Sequence, residues 1–108
     1  MGMTKNTKTS RTGKIEARIP VIIFEEGGKT VAYSPAIDLS TFGSTEIQAR
    51  KRFIEAASIF FDEIARMGTT DEVLSECGWS KLPDKETWLP PKYKTCIEEL
   101  VPMPHGAS

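Results

Sequence analysis

The feature that most restricts the fold is a change in hydrophobic period near residue 43. Upstream of it, Ile15, Ala17, Ile19, Val21 and Ile23 occupy every second position, the spacing of side chains along one face of a strand. Downstream, Ala49, Phe53, Ala56, Ala57, Phe60, Ile64 and Met67 fall within one helical stripe of about 100°, the width of a face that packs on a sheet. A chain that changes period in this way lays a helix across a sheet.

Between the two periods the punctuation is dense. Glu25-Glu26-Gly27-Gly28-Lys29 supplies two glycines for the positive φ angles of a hairpin turn, so residues 15–25 and 29–34 read as paired strands. Pro20 cannot donate to a ladder and marks an edge or a bulge, and Ser34-Pro35 reads as a strand end. A short strand over residues 38–42 completes a meander. Gly43-Ser44-Thr45-Glu46-Ile47-Gln48 is a helix start, with Thr45 as the cap and Gln48 reaching back to the cap amide. The helix is predicted to run to Met67 and stop at Gly68. Glu46 with Arg50 and Asp62 with Arg66 stand in acid-first i,i+4 order. A second, short helix is expected from Thr69 to Cys77, halted by Gly78. Trp79, Pro83, Trp88, Pro90 and Pro91 suggest an ordered loop, and residues 93–101 read as a last strand. The predicted architecture is α+β and two-layered: an antiparallel sheet in the order βββ-α-(short α)-β with the main helix on one face.

One domain is expected from 108 residues, enough for a single modest core. Residues 1–14 contain Lys5, Lys8, Arg11 and Lys14 and no acid, which leaves net charge −5 on the rest of a chain whose total is −1. The division expected is a disordered basic arm over residues 1–13, a folded domain over 14–102 and a tail over 103–108. The arm is the one segment suited to touch phosphates; the acidic folded part is not. Two cysteines, Cys77 and Cys96, are too few for a secreted disulfide scaffold, and no apolar run nears the ~20 residues that span a bilayer. A cytoplasmic protein without membrane contact is the expectation.

Catalytic chemistry is hard to assemble from these residues. The single histidine, His105, sits in a Pro-Met-Pro-His-Gly-Ala-Ser tail without rigid support. Of the carboxylates near the meander and helix, Asp38, Glu46, Glu55, Asp62 and Glu63, only Asp38 is placed to reach a sheet-end site, and one carboxylate does not hold two metals. No catalytic, metal or cofactor residues are therefore assigned, and no cofactor is expected. The informative surface is apolar. Ile47, Ile54, Phe61 and Ala65 flank the core stripe of the helix, where Val73, Leu74 and Trp79 are expected to cover them. Ile22, Phe24, Val31 and Tyr33 have the parity opposite to the core-facing strand residues, and little chain remains to cover them. Such a face marks an interface, either with a partner or within a homo-dimer or higher homo-oligomer.

Ser34-Pro35-Ala36-Ile37-Asp38 followed by Thr41-Phe42-Gly43-Ser44-Thr45-Glu46-Ile47-Gln48-Ala49 resembles the HicB-like antitoxin domain. In that family an extended segment precedes a proline and a Gly-x-Thr-x-x-Glu-Ala turn opens the helix. Val31-Ala32-Tyr33 and the Glu-Gly-Gly hairpin fit it too. The likeness spans residues 15–67 and is looser to residue 102. It implies a reduced ribonuclease-H-like sheet without catalytic carboxylates, whose partner is a HicA-type toxin, a small ribonuclease neutralised by covering its active surface. Gln48 stands where the family more often has Glu. Many members carry a further DNA-binding domain. Only six residues follow Pro102, so direct operator binding is not expected, and an orphan interaction or nucleic-acid-binding module with another client is the alternative.

Overall fold

The computed structural model describes residues 7–9, 15–84 and 87–106. Its elements are β1 (Thr7–Thr9), β2 (Ile15–Ala17), β3 (Ile22–Glu26), β4 (Lys29–Ser34), β5 (Leu39–Gly43), α1 (Glu46–Arg66), α2 (Thr70–Glu76), β6 (Ser80–Lys81) and β7 (Trp88–Leu89). The architecture is α+β: β3, β4 and β5 form an antiparallel meander in that order, and α1 lies across β4 and β5.

The period-two run of residues 15–25 forms two strands rather than one. β2 ends at Ala17, residues 18–21 are irregular, and β3 starts at Ile22. Pro20 accounts for the break, having no N–H for the ladder and constraining the residue before it. Ala17, Ile19, Val21 and Ile23 still pack against the core. The basic arm expected over residues 1–13 contains β1, paired antiparallel with β2 so that Lys8 stands opposite Glu16. Gly27 and Gly28 have φ of +60° and +80°, both positive as a two-residue turn of right-handed twist needs.

On the inner face Ala32 and Ser34 are fully buried with Ala36, Ile37, Ala49, Phe53, Ala57, Ile64, Leu74 and Trp79. Ala56 and Phe60 are half-buried, and Met67, at the helix end, is exposed. β5 runs close against α1 because Gly43 has no side chain: a Cβ there would lie 2.8 Å from the backbone nitrogen of Ala49. The polypeptide after α2 departs from expectation. Residues 93–101 form no strand, and the β-structure there is instead the β6–β7 hairpin, with Ser80 opposite Leu89 and Lys81 opposite Trp88. Residues 92–106 are exposed throughout. The Cα radius of gyration is 16.7 Å, against about 13 Å for a compact chain of this length.

Candidate functional site

The outer face of the meander is the candidate site. Its register sets Ile22 opposite Tyr33, and Phe24 opposite Val31; Val31 in turn faces Phe42, and Tyr33 faces Ser40. Residues opposite one another point to the same side of a sheet, so Ile22, Phe24, Val31, Tyr33 and Phe42 share one surface. Ile22, Phe24 and Phe42 are 50%, 40% and 51% exposed, while Val31 and Tyr33, on the central strand, are half-buried by their neighbours. The helices and Trp79 pack on the opposite side, with Ala32 and Ile23.

Phe42 is the member that sequence reasoning missed. Its strand was predicted within a residue, but its faces were not assigned; pairing it against Val31 by alternation carries the signal. Polar groups frame the patch. The Lys29 ammonium sits 4.4 Å from the Phe42 ring centroid, a cation–π contact, and Glu25 and Glu26 lie exposed at the hairpin end. At the other end the Tyr33 hydroxyl donates to Asp38 Oδ1 over 3.1 Å. That hydrogen bond, then partial desolvation and the nearby Asp38 and Tyr93 charges, hold the Tyr33 phenol above its usual value. Asp38 itself has φ +52°, a left-handed conformation that Asp tolerates better than most residues.

The helix start differs in detail from the capping box expected. Thr45 Oγ1 accepts from the Gln48 amide at 3.1 Å, as a cap should. Gln48 Oε1, however, accepts from the amide of Ser44 at 2.7 Å and from its hydroxyl at 3.1 Å, one residue before the cap. This joins the end of β5 to the first turn of α1.

The helix flank is covered only in part. Phe61 meets Trp79 edge-on, with centroids 5.8 Å apart, but Ile47 and Ile54 are 71% and 65% exposed and Ala65 is exposed too. Ile47 and Ile54 lie in the first half of α1, away from α2, which follows its C-terminal end. Glu46 pairs with Arg50 at 3.6 Å, whereas Arg66 pairs with Glu63 rather than Asp62, one turn geometry replacing another at little cost on an exposed surface.

Asp38, Glu46, Glu55, Asp62 and Glu63 are all exposed, and among the described residues no three His, Cys, Asp or Glu side chains converge as a metal site. Burial pushes the Cys77 thiol up, helped by the charges of Asp38 and Glu76, so it is held protonated; Cys96 is exposed. A shallow cleft of about 450 Å³ along Gly78, Ser80, Leu89, Pro90, Pro91 and Lys92 gathers one hydroxyl and one ammonium. Of the basic arm, Lys8 lies in β1, its side chain undescribed, while Lys5, Arg11 and Lys14 lie outside the described residues. No helix among the described residues is long and apolar enough to cross a membrane. Comparison of the chain with family models, curated proteins and solved structures found no match.

Proposed function

We propose that this chain is a binding protein without catalytic activity, and that the outer face of its sheet seats a protein partner, an RNA-cleaving toxin of the HicA type. The observation that carries the reading is the uncovered cluster of Ile22, Phe24, Val31, Tyr33 and Phe42. A flat apolar patch rimmed by charge is the anatomy of a protein interface: aromatic anchors at the centre, polar groups outside.

Charge supports the class of partner. Glu26 and Asp38 stand around the patch beside Lys29, and the chain beyond residue 14 is net −5. A protein that binds RNA presents a basic surface, so a net acidic chain beyond residue 14 steers it inward. The likeness of the Ser34–Asp38 and Gly43–Ala49 motifs to HicB-like antitoxins supplies the toxin's type. The same net negative charge disfavours RNA or DNA as the direct ligand.

The test is inhibition of a purified HicA-type ribonuclease encoded beside this chain. Equimolar protein is expected to suppress RNA cleavage, and Phe24→Lys with Phe42→Glu to abolish the suppression while circular dichroism stays unchanged. Undiminished cleavage in the presence of the folded wild-type protein overturns the reading.

A further inference from the structure

The exposed C-terminal segment and the free edge of the sheet are complementary. We propose that residues 93–101 add as an antiparallel fourth strand to β3 of a second copy of this chain, and that the exchange is reciprocal, giving a two-fold dimer. The proposal concerns the sheet's edge and a second copy, and stands whether or not the sheet's face holds a toxin.

The first observation is the segment itself. Tyr93-Lys94-Thr95-Cys96-Ile97-Glu98-Glu99-Leu100-Val101 has the β-branched and aromatic content of a strand, yet it is unpaired. Ile97, Leu100 and Val101 are 66%, 101% and 71% exposed, a loss of burial that a pairing partner recovers. The second is the edge. Among the described residues β3 pairs only with β4, so one row of its backbone groups has no ladder partner among them, the usual template for an added strand. At the other edge, Arg52 Nη1 already holds the Phe42 carbonyl at 2.8 Å.

Charge then decides both orientation and partner. β3 carries Glu25 and Glu26 at its end, and Arg18 precedes its start; the segment carries Lys92 and Lys94 at its start and Glu98 and Glu99 further on, all seven exposed. None of the seven has an ion-pair partner among the described residues. Antiparallel pairing sets the lysines beside Glu25 and Glu26 and the glutamates toward Arg18. Parallel pairing sets Glu98 and Glu99 against Glu25 and Glu26, and like charges facing across strands repel.

A chain cannot easily make the antiparallel arrangement with itself. Pro91 packs over Gly78, where a Cβ would lie 3.7 Å from it; the adjacent Trp79 is bonded to Ala36, in the turn that follows β4. The segment therefore leaves from the end of the sheet where Tyr33 faces Ile22, which is where β3 begins. Laid directly along its own β3 it would run parallel. A second copy, related by a two-fold axis, presents its β3 in the favourable direction, and the reciprocal contact closes without growing a filament.

The experiment is a charge exchange read by light scattering on the full chain, with circular dichroism as the folding control. Wild type is expected at twice the monomer mass. K92E/K94E and E25K/E26K are each expected to raise the dissociation constant about tenfold or more, since like charges then meet at both contacts. An equimolar mixture of the two variants is expected to regain wild-type affinity as a heterodimer. These substitutions lie on exposed side chains and leave the core intact. A monomeric wild type, variants as tightly associated as wild type, or a mixture that stays monomeric would each overturn the proposal. Association that survives the charge variants but not F24K/F42E locates the dimer on the face instead, and likewise overturns it.

Discussion

The indole nitrogen of Trp79 donates to the carbonyl of Ala36 over 2.8 Å, joining residues 43 apart in sequence. Both residues are buried, so the bond ties the turn between β4 and β5 to the segment after α2 and keeps Trp79 on the helix side of the sheet. Trp79→Phe leaves the Ala36 carbonyl without its partner and is expected to lower the unfolding free energy by about 1–3 kcal/mol. Trp88→Phe, at a half-buried ring, is expected to cost less. Denaturant titration of the two variants makes the comparison.

Gly43 is needed for space rather than for backbone freedom. It is absent from the glycines with positive φ, but a Cβ would meet the Ala49 nitrogen at 2.8 Å and Gln48 Cγ at 2.9 Å. Gln48 can shift; the first turn of α1 cannot without parting from β5. Gly43→Ala is therefore expected to cost about 1–3 kcal/mol through overpacking. A thermal midpoint unchanged from wild type would mean that the helix rides freely over β5.

Gln48→Glu is expected to be neutral or stabilising by up to about 1 kcal/mol. A carboxylate oxygen can accept from Ser44 as Gln48 Oε1 does, and a negative charge in the first turn of a helix is favoured by its dipole. Gln48→Ala removes the acceptor and Thr45→Ala removes the cap, each expected to cost about 1 kcal/mol. Unfolding midpoints for the three variants, at low salt, separate capping from charge.

The meander and α1 were legible because each is specified locally. The Gly27-Gly28 turn, the Thr45 cap and the stripe through Ala49, Phe53, Ala57 and Ile64 need no distant partner to be recognised. What escaped depended on partners remote in sequence. Residues 93–101 have a strand's composition, but composition cannot say whether an edge is within reach, and their own β3 lies in the wrong direction. The break at residues 18–21 has its signal in Pro20, but the period-two run continues on both sides of it and by itself does not show where pairing stops. For the candidate site, parity identified Ile22, Phe24, Val31 and Tyr33; Phe42 required the β4–β5 register, and Ile47 and Ile54 required knowing how far α2 reaches along α1.

The Tyr33–Asp38 pair gives a pH dependence whose sign follows from the hydrogen bond. The protonated phenol donates to Asp38 Oδ1, so the folded protein favours the neutral form and the phenol's pKa lies above 10.0. A folded value raised above the unfolded one means that the contribution to stability is fully present below pH 10 and is lost as pH rises through the folded value. The chain has two tyrosines, so the titration belongs in a Tyr93→Phe background, where tyrosinate absorbance reports Tyr33 alone. Asp38→Asn removes the carboxylate charge and leaves a weaker, neutral amide oxygen to accept the hydrogen bond that is the first cause of the shift, so the midpoint is expected to move back toward 10. Asp38 also holds a left-handed backbone, which Asn accepts as readily, so the substitution changes charge without straining the turn. A midpoint that does not move in Asp38→Asn would show that Tyr33 points away from Asp38 in solution, and with it that the rim of the sheet face is not ordered as described.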